Sequence, residues 1–261
     1  MKKLHIDSGK DFDFGRTSEY YAKYRDIYPQ EFYDKLLQRD LCVKGQKILD
    51  IGTGTGVLPR NLYKYGGEFV GIDISANQIE HAKILAEQSG MDIDFDCVAA
   101  EKANFADGTF DVITACQCFT YFNHKVLAKL LADILKTNGR VVVLYMAWLP
   151  YEDAIALKSE ELILKYNPTW SGCGEVRRNI EIPPDYQKYF NIEYREVFDL
   201  DVPFTRESWH GRMRACRGVG ASLSQEDIAK WEEEHIAILR NDAPQEFVVK
   251  HYGAICVLCK K

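Results

Sequence analysis

The stretch ILDIGTGTG, residues 48–56, passes from an apolar run directly to glycines at alternate positions, Gly52, Gly54 and Gly56. An aliphatic run of this kind fits a strand buried on both faces, as in the middle of a parallel sheet. Glycines that follow it fit a turn at the strand's carboxyl end, where open α/β sheets let a ligand lie against bare main chain. The amides opening the next helix add partial positive charge at the same place. Asp50 precedes the first glycine by two residues, and Asp73, in GIDIS, follows it by 21.

Outward from this stretch the chain alternates. KILDIG is followed by a helix pattern VLPRNLYKYG, a run EFVGID, a helix pattern SANQIEHAKILAEQSG and a run DIDFDCVA. FDVITA, a helix from about Asn123 to Lys136, and RVVVLYMAW continue the rhythm. Short strands alternating with helices predict right-handed βαβ units and a parallel sheet covered on both faces. Gly66-Gly67, Gly90 and Asn138-Gly139 fall where helix ends call for left-handed residues. Residues 14–40 read as helices broken at Tyr28-Pro29, because proline disfavours helix in the residue before it. Past Pro150 the rhythm fails. Pro150, Pro168, Pro183 and Pro184, with Trp148, Trp170 and Gly172-Cys173-Gly174, suggest an irregular insertion at about residues 148–195 that carries specificity. IEYREVFDLDV and EFVVKHYGAICVLC then read as strands, and TRESWHGRMRA and QEDIAKWEEEHIAILR as helices.

Composition narrows the function. The 261 residues are 46% hydrophobic and 28% charged, enough for a full core. A net charge of −6, with lysine and arginine dispersed, offers no track for a phosphate backbone, so no nucleic acid is expected. The charges in HIDSGKDFDF argue against a leader segment after MKKLHID, and no apolar run approaches membrane-spanning length. A cytoplasmic protein with no membrane partner is expected. The eight cysteines include one CxxC, Cys256 to Cys259, and the six histidines show no ligand spacing, so no metal is expected.

Glycine loops also serve dinucleotide folds, and spacing separates the two cases. GxGxxG would need glycine at position 57, which is Val57; the pattern here is DxGxGxG, from Asp50 through Gly56. With Asp73 ending the second strand, where an acid can accept ribose hydroxyls, the sequence resembles the class I S-adenosylmethionine (SAM) dependent methyltransferases, in the small-molecule branch of quinone-biosynthesis and trans-aconitate enzymes. ADGTFDVITA and LADILKTNGRVVV are similar to the family's DxSFDxV and LKPGGxLxx stretches. The resemblance covers residues 10–147 well and the rest loosely. It implies a Rossmann-like, doubly wound, mostly parallel seven-stranded sheet with an antiparallel edge strand. An N-terminal helical lid at 1–45, a SAM-binding core at 46–147, the substrate insertion at 148–195 and completion of the sheet at 196–261 would make up the chain.

The resemblance also assigns residues. Gly52, Thr53, Gly54 and Gly56, with Asp50, would face the methionine part of SAM, and Asp73 would hold its ribose. Ile74 and Gln78 would pack the adenine and ribose. Phe14 and Tyr21 match the lid spacing, and KYRDIYP resembles YRPxYP, which brings Tyr21 and Arg25 to the cofactor. Where the family reads adenine with an aspartate, VAAEKANF has Ala99, leaving a neighbouring amide at Ala100 and the carboxylate of Glu101 for that edge. Losing one such hydrogen bond weakens binding by about 0.5–1.5 kcal/mol. Cys116 would complete the cofactor set, and the product would be S-adenosylhomocysteine.

A sulfonium methyl is already activated, so alignment and exclusion of water suffice, and a base is optional. Candidate bases lie past the fourth strand and in a late helix: Tyr121 and His210 first, then His124 and Glu207. Trp148, Tyr151 and Trp170 could wall an apolar pocket. IPPDY, residues 182–186, lies too far past the fourth strand for the motif of amino-methylating enzymes that it imitates. The expected partner is a small-molecule acceptor, the expected state monomer or homodimer. A non-catalytic SAM-binding protein and a nicotinamide oxidoreductase are the rival readings.

Overall fold

The computed structural model describes residues 6–261, so the first five residues of the N-terminal stretch 1–45, and most of MKKLHID, lie outside the described residues. Each apolar run becomes a strand: β1 (Lys47–Ile51), β2 (Glu68–Asp73), β3 (Asp94–Cys97), β4 (Phe110–Cys116), β5 (Leu135–Trp148), β6 (Phe190–Thr205) and β7 (Glu246–Lys260). They form one seven-stranded sheet in the order β3-β2-β1-β4-β5-β7-β6. Pairing is parallel from β3 to β5, with Asp50 opposite Gly71 of β2 and Thr114 of β4. At the other side the contacts run in opposite senses. Lys260 reaches Leu135 while the Leu149 amide donates to the Lys250 carbonyl, and Lys261 meets Tyr189 while Lys250 meets Asp201. β7 is therefore antiparallel to both neighbours, and the sheet ends in an antiparallel pair. This is the Rossmann-like α/β fold that the alternation predicts.

The chain divides into two compact units. One comprises residues 29–146, 178–198 and 253–261, the other residues 1–28, 147–177 and 199–252, so the divisions fall within β5, β6 and β7 and differ from the four stretches marked on the sequence. In the first unit, helices α2 (Gln30–Leu37), α3 (Val57–Leu62), α4 (Ala76–Gln88) and α5 (His124–Ile134) cover the parallel strands. Leu49, Ile51, Ile113 and Val141, and the alternate residues Ile48, Val112 and Val142, are at most 1% exposed, as side chains buried on both faces of a parallel sheet should be.

The second unit holds α1 (Ser18–Tyr24), α6 (Ala154–Tyr166), α7 (Arg206–Arg214) and α8 (Gln225–Asp242). Trp209 and Trp231 are fully buried in it. Its helix starts are capped: Thr205 and Ser208 form a reciprocal box at α7, and the Asp227 amide donates to Ser224 at α8. Among the described residues no helix is long and apolar enough to cross a membrane.

Two local expectations are corrected. The stretch after Pro150 is not irregular throughout, because Pro150 and Pro168 bracket rather than interrupt the 13 residues of α6. Asp153 starts that helix by accepting from the amides of Ile155 and Ala156, each at 3.0 Å. Asn138-Gly139 does not end a helix. α5 stops at Ile134, and the five steps from Leu135 to Arg140 face only two steps, Phe110 to Val112, across the ladder. The extra residues form a bulge in which Gly139 is needed for closeness, since a Cβ there would stand 2.6 Å from the Leu135 side chain.

Asp153 also accepts from the Lys250 amide of β7 at 3.2 Å. Asp153→Ala is therefore expected to lower the free energy of unfolding by about 1–2 kcal/mol, read as a shifted urea midpoint at unchanged slope; an unshifted midpoint would refute the cap.

Candidate functional site

β1 lies between β2 and β4, and the chain winds away from it in both directions, so the carboxyl ends of β1 and β4 flank the point where the winding reverses. The glycine loop leaves β1 here. Gly52, Gly54 and Gly56 have φ of +65°, +58° and +72°, a region that costs a side-chain-bearing residue about 1–2 kcal/mol. Space is as short as conformation. A Cβ on Gly52 would stand 2.8 Å from Cβ and Sγ of Cys118, and one on Gly56 would stand 2.7 Å from the Phe95 ring.

Two hydrogen bonds hold the loop to the end of β2, and a third orients the acid there. The Thr53 amide donates to the Ile72 carbonyl at 3.0 Å, and the Gly54 amide donates to Oδ2 of Asp73 at 3.0 Å. Oδ1 of Asp73 accepts from the Ser75 amide at 2.8 Å, just ahead of α4. Burial keeps this carboxyl above the usual carboxylate range, against the opposing pull of the Ser75, Gly54 and Ile74 amides.

Asp50 sits beneath the loop rather than at its surface. It is 2% exposed, and its Oδ1 accepts from the Thr114 hydroxyl at 2.6 Å. Burial pushes its carboxyl up to about 6, with Thr114 opposing and Asp73 adding to the rise. Ile74 is 62% exposed, an apolar side chain in water beside Asp73, while Gln78 is buried in the first turn of α4. Ala99 is half-buried and Ala100 buried. Glu101 holds the Asn123 amide at 2.6 Å and so starts α5 with one of its oxygens. At the end of β4 Cys116 is half-buried, and past it Gln117 adopts φ +65° and Cys118 donates to the Ile51 carbonyl at 3.0 Å. Tyr121 is half-buried in the turn that follows, its amide bonded to the Cys118 carbonyl.

The glycines, Asp50, Asp73, Ile74, Gln78, Ala99, Ala100, Glu101, Cys116 and Tyr121 thus belong to one unit. Tyr21, Arg25 and His210 belong to the other. There Tyr21 meets Phe14 edge-on, with centroids 6.2 Å apart, and Arg25 lies over the Tyr21 ring. Trp148 and Trp170 are buried, Tyr151 is 69% exposed, and Glu207 is taken by Tyr24 and Lys23. His124, by contrast, packs on Phe119 and Tyr186 in the first unit.

His210 is engaged in helix packing. Its Nδ1 is 2.9 Å from Nδ1 of His235, whose Nε2 is 3.0 Å from the Ser159 hydroxyl. That hydroxyl donates to the Ile155 carbonyl, so Nε2 of His235 must donate to it and Nδ1 of His210 must donate to His235. Burial lowers both imidazoles, His235 to about 3, and both stay neutral.

Thr114, Gln117 and Cys118 escaped the sequence reading. CQC directly after an apolar strand was the available signal, since the end of β4 must pass under the bare face of Gly52.

Asp50 gives the site a pH signature. Its folded value of about 6 exceeds the ordinary 3.8, so folding takes up a proton between about pH 4 and 6 and stability falls as pH rises through that window. Above it the buried charge costs about 3 kcal/mol. Asp50→Asn keeps an acceptor for Thr114 and removes that cost. The variant is expected to match the parent near pH 4 and exceed its stability at neutral pH in urea titrations; a difference independent of pH would refute the assignment.

Comparison with known proteins agrees with the geometry. A methyltransferase domain family model matches residues 48–139, from β1 to the bulge in β5. The ubiquinone biosynthesis O-methyltransferase of Bradyrhizobium diazoefficiens is 32% identical over 159 residues, 60% of this chain and 60% of that one. Its counterpart from Bartonella bacilliformis is 33% identical over 172 residues, 64% of this chain and 67% of that one. The chain spans 56–60% of the length of the first three curated relatives it matches. The solved structure of the PH0226 protein from Pyrococcus horikoshii OT3 shares the fold, with a TM-score of 0.52 at 19% identity over 93% of this chain and 99% of that one. With its three left-handed glycines and the acid that ends β2, the chain belongs to the class I SAM-dependent methyltransferases.

Proposed function

We propose that this protein transfers a methyl group from SAM to a small-molecule acceptor. The observation that carries the reading is the glycine loop tied to Asp73: bare main chain where no Cβ fits, beside a carboxylate held at the tip of β2. These residues suit the cofactor. Each Asp73 oxygen that accepts one amide retains a lone pair for a ribose hydroxyl. Ile74 offers an exposed apolar surface for an adenine face. Gln78, Ala99, Ala100 and Cys116 complete the surround, and Glu101 keeps one oxygen beyond its bond to Asn123 for the adenine amino group. Asp50 acts from below, setting the loop rather than touching the cofactor.

Bound there, SAM supplies an electrophilic methyl group on a sulfonium. The protein's task is to align an acceptor lone pair with that carbon and exclude water, which can account for roughly 7–11 kcal/mol of barrier. Tyr121, just past β4 in the same unit, is the residue we assign to the acceptor's proton where the acceptor is a hydroxyl. His210 spends its Nδ1 on His235. The eight cysteines, all among the described residues, form no disulfide, which suits the reducing cytoplasm.

Isothermal titration should show micromolar binding of S-adenosylhomocysteine. Asp73→Ala, checked for folding by circular dichroism, should weaken it by about 10- to 100-fold, as expected for loss of charge-assisted hydrogen bonds. Unchanged affinity would overturn the ribose assignment. Label passing from methyl-tritiated SAM into an extract of small metabolites tests transfer itself, and binding without transfer to any fraction would favour the non-catalytic reading.

A further inference from the structure

β4 ends in a turn that glycine would make cheaply and that this chain builds with glutamine. Gln117 adopts φ +65° directly after the strand. The other non-glycine positions at positive φ among the described residues, Asp7, Ser8, Asp40 and Cys42, all lie ahead of β1. The turn itself has a structural cause, since Cys118 must pass close beneath Gly52 and donate to the Ile51 carbonyl. A backbone of that shape asks only for glycine or asparagine. A long side chain there needs a reason of its own, and left-handed residues other than glycine cluster at functional sites.

Two hydrogen bonds fix the residue to β5. Its amide donates to the Leu144 carbonyl at 3.0 Å, and its Nε2 donates to the Met146 carbonyl at 2.5 Å. Leu144 is the register partner of Cys116, so the side chain reaches two residues further along β5, toward the carboxyl edge of the sheet. With its nitrogen on a carbonyl, the carboxamide cannot flip without setting two oxygens against each other. Oε1 is thereby turned away from Met146, and none of the described residues donates to it. Gln117 is half-buried, directly precedes Cys118, and belongs to the same unit as the glycine loop and Asp73. An oriented acceptor is thus left open next to the loop assigned above to the methionine part of the cofactor.

We propose that Gln117 orients the methyl acceptor by taking a hydrogen bond on Oε1, and that the atom methylated is therefore the oxygen of a hydroxyl or the nitrogen of an amine. The inference rests on the methyl-transfer reading. A carboxamide oxygen is too weak a base to remove a proton, but it fixes the direction of an O–H or N–H and so aims the lone pair of the same atom. A carboxylate acceptor offers no hydrogen and would meet the oxygen of Gln117 with its own, and a carbanion has neither a hydrogen to give nor a use for one. In the step itself the acceptor lone pair forms the bond to the methyl carbon as the bond from that carbon to sulfur breaks, sulfur keeping the electron pair. The proton displaced from a hydroxyl passes to Tyr121 and on to water, and that of an ammonium product passes to water directly. Gln117 gains and loses nothing.

The test compares the full chain with Gln117→Met, which keeps the length of the side chain and removes both polar atoms, and with Gln117→Asn, which tolerates the positive φ but falls short of Met146. Transfer from methyl-tritiated SAM into a metabolite extract, at saturating SAM, is expected to fall at least about tenfold in both, as misplacement of a reacting atom does. Affinity for S-adenosylhomocysteine, read by calorimetry, should stay within about twofold of the parent, which also certifies folding. A folded variant that transfers as the parent does overturns the role. Transfer that falls only in step with S-adenosylhomocysteine affinity, in both variants, also overturns it, by making Gln117 a support of the glycine loop. The labelled products carry a second readout. Their tritium should survive alkali and be released as methyl iodide by hot hydriodic acid, as ethers and N-methyl groups require. Release as methanol in alkali would mark a methyl ester, and resistance to hydriodic acid a methyl on carbon; either outcome overturns the acceptor class. Transfer by the parent with unaffected variants removes the role of Gln117 alone, whereas a parent that binds S-adenosylhomocysteine and labels nothing removes the transfer reading together with it.

Discussion

The hydrogen bond from the Gly54 amide to Asp73 joins the two features on which the site depends. β1 and β2 lie in parallel register, Ile51 beside Ile72, so both strands deliver their ends to the same edge of the sheet. The loop that leaves β1 must then turn at once toward α3, and three left-handed residues accomplish this within five positions. Only glycine does so cheaply, and only glycine fits over Cys118 and Phe95. Asp73 in turn is held by amides from both the loop and the start of α4, so its carboxylate is oriented before any ligand arrives. Preorganisation of this kind spares a ligand the entropy of ordering the groups that bind it.

This local demand explains why the site was legible. Conformation, close approach and a strand-end acid each leave a trace at a definite position, and DxGxGxG with Asp73 combines all three. The strands were legible for a related reason, as burial on both faces leaves KILDI and DVITA with adjacent aliphatic residues instead of a polar–apolar alternation. α6 was less so, because proline density averaged over 150–190 hides a helix that lies between the prolines. The bulge at Asn138-Gly139 was read as a helix end because either structure wants a small residue there. Glu101 shows a subtler limit. Its place after β3 suggested the adenine edge, but which backbone amide a carboxylate meets depends on where α5 begins in space.

Electrostatics complicate the unit that holds the loop. Asp50 and Asp73 both lie above the ordinary carboxylate range because burial outweighs their hydrogen bonds. Asp50 is the deeper of the two, and an apolar residue in its place would fit the strand better. Its hydroxyl partner Thr114 lies on β4, directly across from it in the register. The pair therefore ties β1 to β4 at the point where the winding of the sheet reverses. That gives a physical reason for an acid two residues ahead of the glycines without any contact to a ligand.

Buried polar groups in the other unit separate into closed and open sets, and the distinction bears on which of them act. Ser159, His235 and His210 form a closed chain in which each assigned proton has an acceptor, and both imidazoles are neutral. Glu160 is closed as well, accepting from Trp148 at 2.6 Å and from the Gly174 amide at 2.8 Å. Such sets specify packing and ask nothing of solvent or ligand. An unmet donor is not by itself a sign of function, for the Trp231 indole also finds no partner among the described residues. Charge makes the difference. A neutral N–H left unmet costs about 1–3 kcal/mol, within the range that packing offsets, whereas an ion costs several more. The Arg212 guanidinium, kept at 4% exposure, is accordingly the costlier of the two, and its place 4.8 Å from the centre of the Trp148 ring, within cation–π range, offsets part of that cost.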